Sequence, residues 1–442
     1  MRFPHLVFPI LIMPFFILSR RTRLSCGLAV ALFALSGRAQ EVSPSTLTLS
    51  AALARAVELN PGLVAQGYGE RAAEALIEQA GFRPNPTLDV SVENFLGTGR
   101  VQGVRSLETT VQASQTFERG GKRGRRVALA TKEREIAAKE YAVRRSEVIA
   151  AAAVAYVETL TAQQRVALAE EPLQLARATL EAVDFRVKAG AASPAETARA
   201  RAALASGQGE LARAQAALAA ARATLSATWG GSPADVTTLP GIPHIPEALP
   251  PEEAFLAKIG RHPRIDLQEA IVVGRRASLD LEKAQAAQDI TVGGGVRFLR
   301  EGTDAAFVAG VSVPLPVHNR NQGNIRAARE NLSGAEQTIR AVEVELRSAF
   351  TAVWQDLKAA NAAALNLRRD VLPATEEAHA VVRRAYEEGQ LPLIDVLDAQ
   401  RALVAIRREI LDAESAYAVA LVRAESLTDP AFPLTTSLFS SK

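Results

Sequence analysis

Sulfur and aromatic side chains are scarce in this chain: one cysteine, two methionines, two tryptophans and 5% aromatics in 442 residues. The lone Cys26 excludes an internal disulfide, so stability must come from packing and assembly. Few aromatics beside 48% apolar residues, with alanine filling much of the difference, argue against a thick globular core and for close-packed helices. The five histidines, His5, His244, His262, His318 and His379, include no pair at helical metal spacing and no cysteine joins them. No metal site and no cofactor are therefore expected. Lys122 is not followed by Ser or Thr, as a P-loop requires, and Gly97-x-Gly99-x-x-x-Gly103 lacks dinucleotide-binding spacing. Nothing here supports an enzyme.

The formal charge of +3 belongs to the front of the chain. Residues 1–39 hold Arg2, Arg20, Arg21, Arg23 and Arg38 and no acid, which leaves 46 basic against 48 acidic residues, a net of −2. That removes the case for nucleic acid as a partner. Two apolar runs, 6–18 and 24–36, are each 13 residues long, short of the ~20 that cross a bilayer as a helix. The second, with arginines before it and Gly37-Arg38-Ala39 after it, has the three parts of a secretory signal peptide. Cleavage after Ala39 is expected; an uncleaved inner-membrane anchor is the alternative, and Met13 is an alternative start. Cys26 lies inside this leader behind Arg23-Leu24-Ser25, a poor lipobox. The mature chain is thus expected to carry no thiol and no lipid anchor.

What the chain does have is a copy of itself. Val187-x-x-Gly190 is followed by Glu196 and Leu204, and Tyr386-x-x-Gly389 by Asp395 and Leu403, with the two glycines 199 residues apart. Gly124 and Gly323 keep the same offset, while Asn60-Pro61 and His262-Pro263 are 202 apart. The period is too long for a solenoid unit and reads as a duplicated half-molecule. The halves span 40–229 and 252–429, joined by an irregular, proline-rich connector at 230–251 and followed by a loose tail at 430–442.

Within each half the hydrophobic period changes twice. Leu49, Leu53, Ala56 and Val57 mark an opening helix before Asn60-Pro61, and a second helix runs to about Ala80, ended by Gly81-Phe-Arg-Pro-Asn-Pro86. The period then drops to 2: Leu88, Val90 and Val92 alternate with polar residues, as do Thr109, Val111 and Ala113. In the second half Ile290, Val292, Val296 and Phe298, then Phe307, Ala309, Val311, Val313 and Leu315, do the same. Four strands are expected, at about 87–95, 107–117, 289–299 and 305–315, each near the ~10 residues of a tilted membrane strand. Afterwards the helical period returns and holds. Val166, Leu173, Leu180 and Val187 keep sevens, as do Leu204, Leu211, Leu218 and Leu225, and Leu346, Phe350, Val353, Leu357 and Ala360 alternate fours and threes. Sustained heptads mean coiled-coil packing, with bends expected at Pro172 and Pro373. Lys122-Arg123 and Arg125-Arg126 fall where strand gives way to helix, and read as a solvated collar.

The fold class is therefore mainly α with a membrane β-barrel: a duplicated strand hairpin plus long coiled-coil helices. Open strand edges are intolerable in lipid, and bacterial membrane barrels need at least about eight strands. Four strands imply closure by other copies of the chain. A periplasmic adaptor would carry one coiled-coil hairpin flanked by soluble β-domains, and a structural coiled coil would lack the amphipathic strands.

These residues resemble the TolC-type outer-membrane efflux channels over essentially the whole mature chain. The most specific segments are Gly81-Phe-Arg-Pro-Asn-Pro86 running into Glu93-Asn94, Gln115-Thr-Phe-Glu-Arg-Gly-Gly-Lys-Arg123, and Tyr386-Glu-Glu-Gly-Gln-Leu-Pro-Leu-Ile-Asp-Val-Leu-Asp-Ala-Gln400. The first two are most similar to the CzcC-type branch, which serves heavy-metal efflux. The resemblance implies a homotrimer with a 12-stranded barrel in outer-membrane lipid of a Gram-negative bacterium, above a helical periplasmic tunnel. Its implied partners are a periplasmic membrane-fusion adaptor and an inner-membrane pump of the RND type. Its implied cargo is heavy-metal cations, with drugs as the alternative. It places Val187, Gly190 and Gly389 at the tip turns that dock the adaptor. It matches Asp395 and Asp398 to the acids lining the periplasmic aperture, and Tyr386 and Glu196 to positions that hold it shut. Asp395 and Asp398 also read as acids favoured by a helix N-terminus. Leu391 stands where the best-known member has an arginine, so the same locking scheme is not assured.

Overall fold

The computed structural model describes residues 46–241, 245–428 and Thr435. The expected signal peptide at 1–39, Cys26 within it and His244 lie outside these residues. Each half opens with a helix pair or its equivalent. In the first, Thr48 caps α1 (Leu49–Leu59) and Asn60 caps α2 (Pro61–Gly81), with proline at the first helical position. In the second, α5 is a single turn (Glu252–Leu256) and His262 caps α6 (Pro263–Gln285).

The two caps do a second job. Asn60 Oδ1 accepts from the Leu63 amide at 2.9 Å, while its Nδ2 donates to the Thr228 carbonyl at 2.7 Å. His262 Nδ1 accepts from the Arg264 amide at 3.1 Å, while Nε2 meets the Ser426 carbonyl at 3.2 Å. Because that carbonyl accepts, the ring proton sits on Nε2. Thr228 and Ser426 end the last helix of their respective halves, α4 (Pro194–Ala227) and α9 (Leu393–Ser426). Each half is thus stapled shut, start to end, by one side chain.

Strands β1 (Thr87–Glu93), β2 (Glu108–Phe117), β3 (Ile290–Leu299) and β4 (Asp304–Ser312) form one antiparallel sheet in that order. The halves meet at β2 and β3, leaving β1 and β4 as free edges. Val90, Val111, Val296 and Phe307 lie opposite one another across the sheet. This face is uncovered: the Phe307 side chain is 94% exposed, and Leu88, Val90 and Val311 are exposed with it. On the other face Arg297 donates to Glu108 at 3.1 Å and to Thr110 at 3.1 Å, with Glu93 at 3.7 Å. The pleat separates apolar from charged residues because side chains alternate. β4 stops at Ser312, short of the expected 315; Pro314 and Pro316 follow, and among the described residues no strand lies beyond the edge to extend it.

From the sheet α3 (Lys122–Lys188) runs 67 residues, about 100 Å at 1.5 Å per residue. The basic run at its start is not a free collar. Lys122 pairs with Asp289 at 2.7 Å, Arg125 with Asp280 at 3.4 Å and Arg126 with Glu118, so it binds α3 to α6, to the segment leading into β3 and to the end of β2. The helix is continuous through Pro172. The second half differs: α7 (Gln322–Asn366) passes through a π-helical turn, Leu367–Val371, into α8 (Leu372–Glu387), with Pro373 just inside.

Two apolar clusters hold the helices together where the halves abut. One gathers Tyr156, Leu160, Leu225 and Trp229 with Leu47 and Leu49; the other gathers Leu346, Phe350, Trp354, Leu357 and Phe255. The Phe255 and Trp354 rings lie 5.3 Å apart. Residues of α9 enter both, Val422 the first and Leu421 the second. The connector is packed rather than loose: Val236 and Leu239 join the first cluster and Ile245 the second. In the tail, Thr435 is buried and its amide donates to the buried Glu425 at 2.8 Å. A buried carboxylate needs such donors; the rest of the tail expected to be loose, at 430–442, lies outside the described residues.

Candidate functional site at the hairpin tips

Far along the chain from the strands, each half turns back on itself. Gly190 has φ +73° and Gly389 φ +77°. The Ala191 amide bonds the Arg186 carbonyl at 2.8 Å, and the Gln390 amide bonds the Ala385 carbonyl at 2.8 Å. Both are six-to-one closures of a Schellman helix end, whose left-handed residue is normally glycine. No atom lies within 4 Å of a Cβ built at either glycine, so the requirement is conformational and not steric crowding. Val187, three residues before Gly190, faces inward beside the tip cluster.

That cluster ties the two hairpins together. Val183 of α3, Leu393 and Leu397 of α9 are buried, with Val187, Ala203 and Tyr386 packed on them. Beside it Arg186 Nη1 donates to the Tyr386 hydroxyl at 2.6 Å, and the guanidinium lies 5.4 Å from the ring centroid. A cation over a tyrosine face adds attraction to the hydrogen bond. Arg186 was not singled out by sequence. It precedes the Val187 motif by one residue, and the only signal was a cation 200 positions from Tyr386.

The other expected site residues are distributed differently. Glu196 lies half-buried in the first turn of α4 and makes no hydrogen bond to Tyr386. Asp395 lies in the first turn of α9, where an acid is favoured by the helix dipole. Asp398, one turn further, forms an exposed ion pair with Arg401. The site therefore brings Tyr386, Val187 and the α9 leucines together, and keeps Glu196 out of that contact.

Behind the tip the hairpins are laced by charge through α9. Arg407 reaches Glu171 at 3.0 Å and Glu376 at 3.2 Å, Arg408 reaches Glu210 at 2.5 Å, and Asp412 receives Arg165 at 2.6 Å. Arg213 beside Glu210 holds that carboxyl below the ordinary range, with Arg408 adding to it. The Arg408–Glu210 and Arg165–Asp412 pairs border a cleft of about 590 Å³ lined by Pro172, Gly207, Leu397 and Val404. Among the described residues no group of His, Cys, Asp and Glu is arranged to hold a metal ion.

Comparison with known proteins gives this geometry its context. The sequence profile described as outer membrane efflux protein matches residues 52–231 and 261–428, one stretch in each half. The cobalt-zinc-cadmium resistance protein CzcC of Cupriavidus metallidurans is 31% identical over 361 residues, covering 82% of this chain and 85% of that protein. The nickel and cobalt resistance protein CnrC of the same organism is 34% identical over 295 residues, covering 66% and 69%. Among solved structures, the outer-membrane protein VceC of Vibrio cholerae shares the fold with a TM-score of 0.67 at 19% identity, covering 86% of this chain and 95% of that one. CusC does so with a TM-score of 0.68 at 18% identity, covering 87% and 92%. With both halves matched, this chain belongs to the outer membrane efflux protein family.

Proposed function

We propose that this outer-membrane efflux protein works as a homotrimer, its three four-stranded sheets closing into one 12-stranded barrel. The observation that carries this is the sheet itself: an uncovered apolar face suited to lipid and two unpaired edges, which do not survive in lipid without neighbouring strands. The protein is the passive outer duct of an efflux system with a periplasmic adaptor and an inner-membrane pump. We assign the pump to the RND type, and the cargo to heavy-metal cations, on the likeness to CzcC and CnrC.

In this reading the turns at Gly190 and Gly389, with Val187, form the adaptor-docking tips. Asp395 and Asp398 line the aperture as stacked rings of three, and the Arg186–Tyr386 contact takes over the latch that Leu391 cannot form. Deleting the gene tests the cargo. Cells should become sensitive to cobalt, zinc or cadmium and accumulate the metal, with restoration by the intact gene. Unchanged metal tolerance and accumulation would remove the metal assignment, and a monomer in detergent would remove the trimer.

A further inference from the structure

The duplication predicts what covers the surfaces that one copy leaves bare. Helix α6 packs between α3 and α7, whereas α2, its counterpart in the first half, has α3 along its length and only the end of α1 besides. The bare side of α2 carries Val64, Tyr68, Ala72 and Leu76 at four-residue spacing, with Tyr68 63% exposed. By the offset of 202 between the caps Asn60 and His262, Ala72 corresponds to Gly274. At Gly274 α6 lies close on α3: a Cβ there would lie 2.8 Å from the end of the Ile136 side chain. α7 is the counterpart of α3 in the second half, by the offset of 199 between Gly124 and Gly323.

The same translation acts on the strands. Within one copy Ala113, Gln115 and Phe117 of β2 face Gly294, Val292 and Ile290 of β3. The left-handed residues that open α3 and α7, Gly121 and Asn321, set the offset from β2 to β4 at 200. The translated pairs are Val313 with Val92, Leu315 with Val90, and Val317 with Leu88. All six are exposed apolar side chains. Hydrogen bonding agrees: the Arg300 amide donates to Leu107, so odd residues of β2 bond β3. Odd residues of β4 then point their amides at the free edge, as do the even residues of β1. Pro314 and Pro316, which lack an amide hydrogen, fall at positions that would bond β3 beyond its first residue, Ile290.

We propose that the chain associates head to tail by repeating its own internal joint, β4 pairing with β1 of the next copy in the register Leu315 opposite Val90, with α7 lying over the bare side of α2. Residues 313–317, which lie outside β4 in one copy, become strand only on assembly. The Val317 amide now closes a short turn on the Leu315 carbonyl at 2.8 Å, and that turn opens as the ladder forms. This rests on the trimer reading but fixes what that reading leaves free, the register.

Engineered cysteines test it, since Cys26 is the only native one. Pro314 and Ser91 of the next copy form a pair without hydrogen bonds, with Cα atoms ~4.5 Å apart and within disulfide reach. P314C with S91C should give covalent dimer and trimer on oxidation. P314C with D89C or with E93C, two residues out of register, should give about tenfold less, because the Cα separation then exceeds ~7 Å. If the double variant fails to reach the membrane, co-expressing the two single variants carries the test and must yield cross-linked dimer. A detergent-stable trimer that cross-links as well through D89C or E93C overturns the register and leaves the trimer standing; a monomer that cross-links in no pairing overturns both.

Discussion

The two halves of the molecule share a plan but not a stiffness. On the way to the first tip, α3 is continuous through Pro172 and buries Leu173, Ala176 and Val183 beyond it. On the way to the second, the helix changes to a π turn at Leu367–Val371, and α8 beyond Pro373 has no fully buried residue. Proline lacks an amide hydrogen and crowds the carbonyl four residues back, and a π turn is one way to relieve that. Arg368 from this turn reaches the buried Glu414 of α9. What holds α8 is mostly polar: Glu376 on Arg407 and Tyr386 on Arg186. Swinging α8 outward therefore breaks ion pairs and hydrogen bonds while exposing little apolar surface. The second hairpin is thus held with less apolar burial beyond its proline than the first.

The largest effect expected is at the turns. Valine at Gly190 or Gly389 must adopt a left-handed conformation costing roughly 1–2 kcal/mol, more for a β-branched residue. Gly190→Val should damage a turn backed by a rigid helix, and Gly389→Val one that can yield. Both should abolish most export while trimers persist on gels, with Gly190→Val the more severe in metal-tolerance assays. Full export by both variants would show that these turns do not dock the adaptor.

A smaller effect is expected at the latch. A half-exposed hydrogen bond to a charged donor is worth about 1 kcal/mol, or about a fivefold rise in the open population when it is lost. Tyr386→Phe removes the hydroxyl and keeps the ring. Arg186→Ala removes both the donor and the cation over the ring, and should open the channel further in planar-bilayer recordings. Equal closed-state conductance in wild type and both variants would mean that the contact merely joins the hairpins. The acids sharpen the same comparison. Two like charges at 4 Å repel by about 1 kcal/mol in water and about 4 kcal/mol at an effective dielectric of 20. A ring of them should attract multivalent cations from the periplasmic side. Arg401 already offsets Asp398, so Asp395→Ala should relieve cation block more than Asp398→Ala; the reverse order would remove Asp395 from the aperture.

Much of this plan was legible in sequence because it is local or periodic. Helical and strand periods show in ten residues, and the glycines at 190 and 389 mark turns by their backbone freedom alone. What was illegible joins residues far apart. Nothing near Arg186 points to Tyr386, and nothing near Thr435 points to Glu425. The basic run at Lys122 reads as solvated in sequence because two of its acids, Asp280 and Asp289, lie more than 150 positions away, although Glu118 is close to Arg126 in sequence. Pro172 and Pro373 look equivalent on paper, yet only the second lies beside a π turn. Caps showed as Asn60-Pro61 and His262-Pro263, but their reach to Thr228 and Ser426 did not.

Those caps give the finest test of the comparison, because the halves use different chemistry for one staple. Replacing either with alanine removes a helix cap and a bond to the closing carbonyl, about 1 kcal/mol from the cap alone. Only the second staple is sensitive to acid. Burial pushes the His262 imidazole below its ordinary value of 6.5, so the folded chain keeps it neutral while the unfolded chain takes up a proton below about that pH. The stability this group contributes is full above 6.5. It declines as pH falls toward the lowered folded value, since the unfolded state then binds more protons. His262→Asn should convert the second staple into a copy of the first, keeping the cap and removing this part of the acid sensitivity. Asn60→His should install it in the first half. Thermal unfolding of the detergent-solubilised protein at pH 7.5 and 5.5 reads both changes: wild type should lose more stability than His262→Asn across that interval. Identical losses would show that His262 takes up its proton without disturbing the staple, and that the halves close by equivalent means.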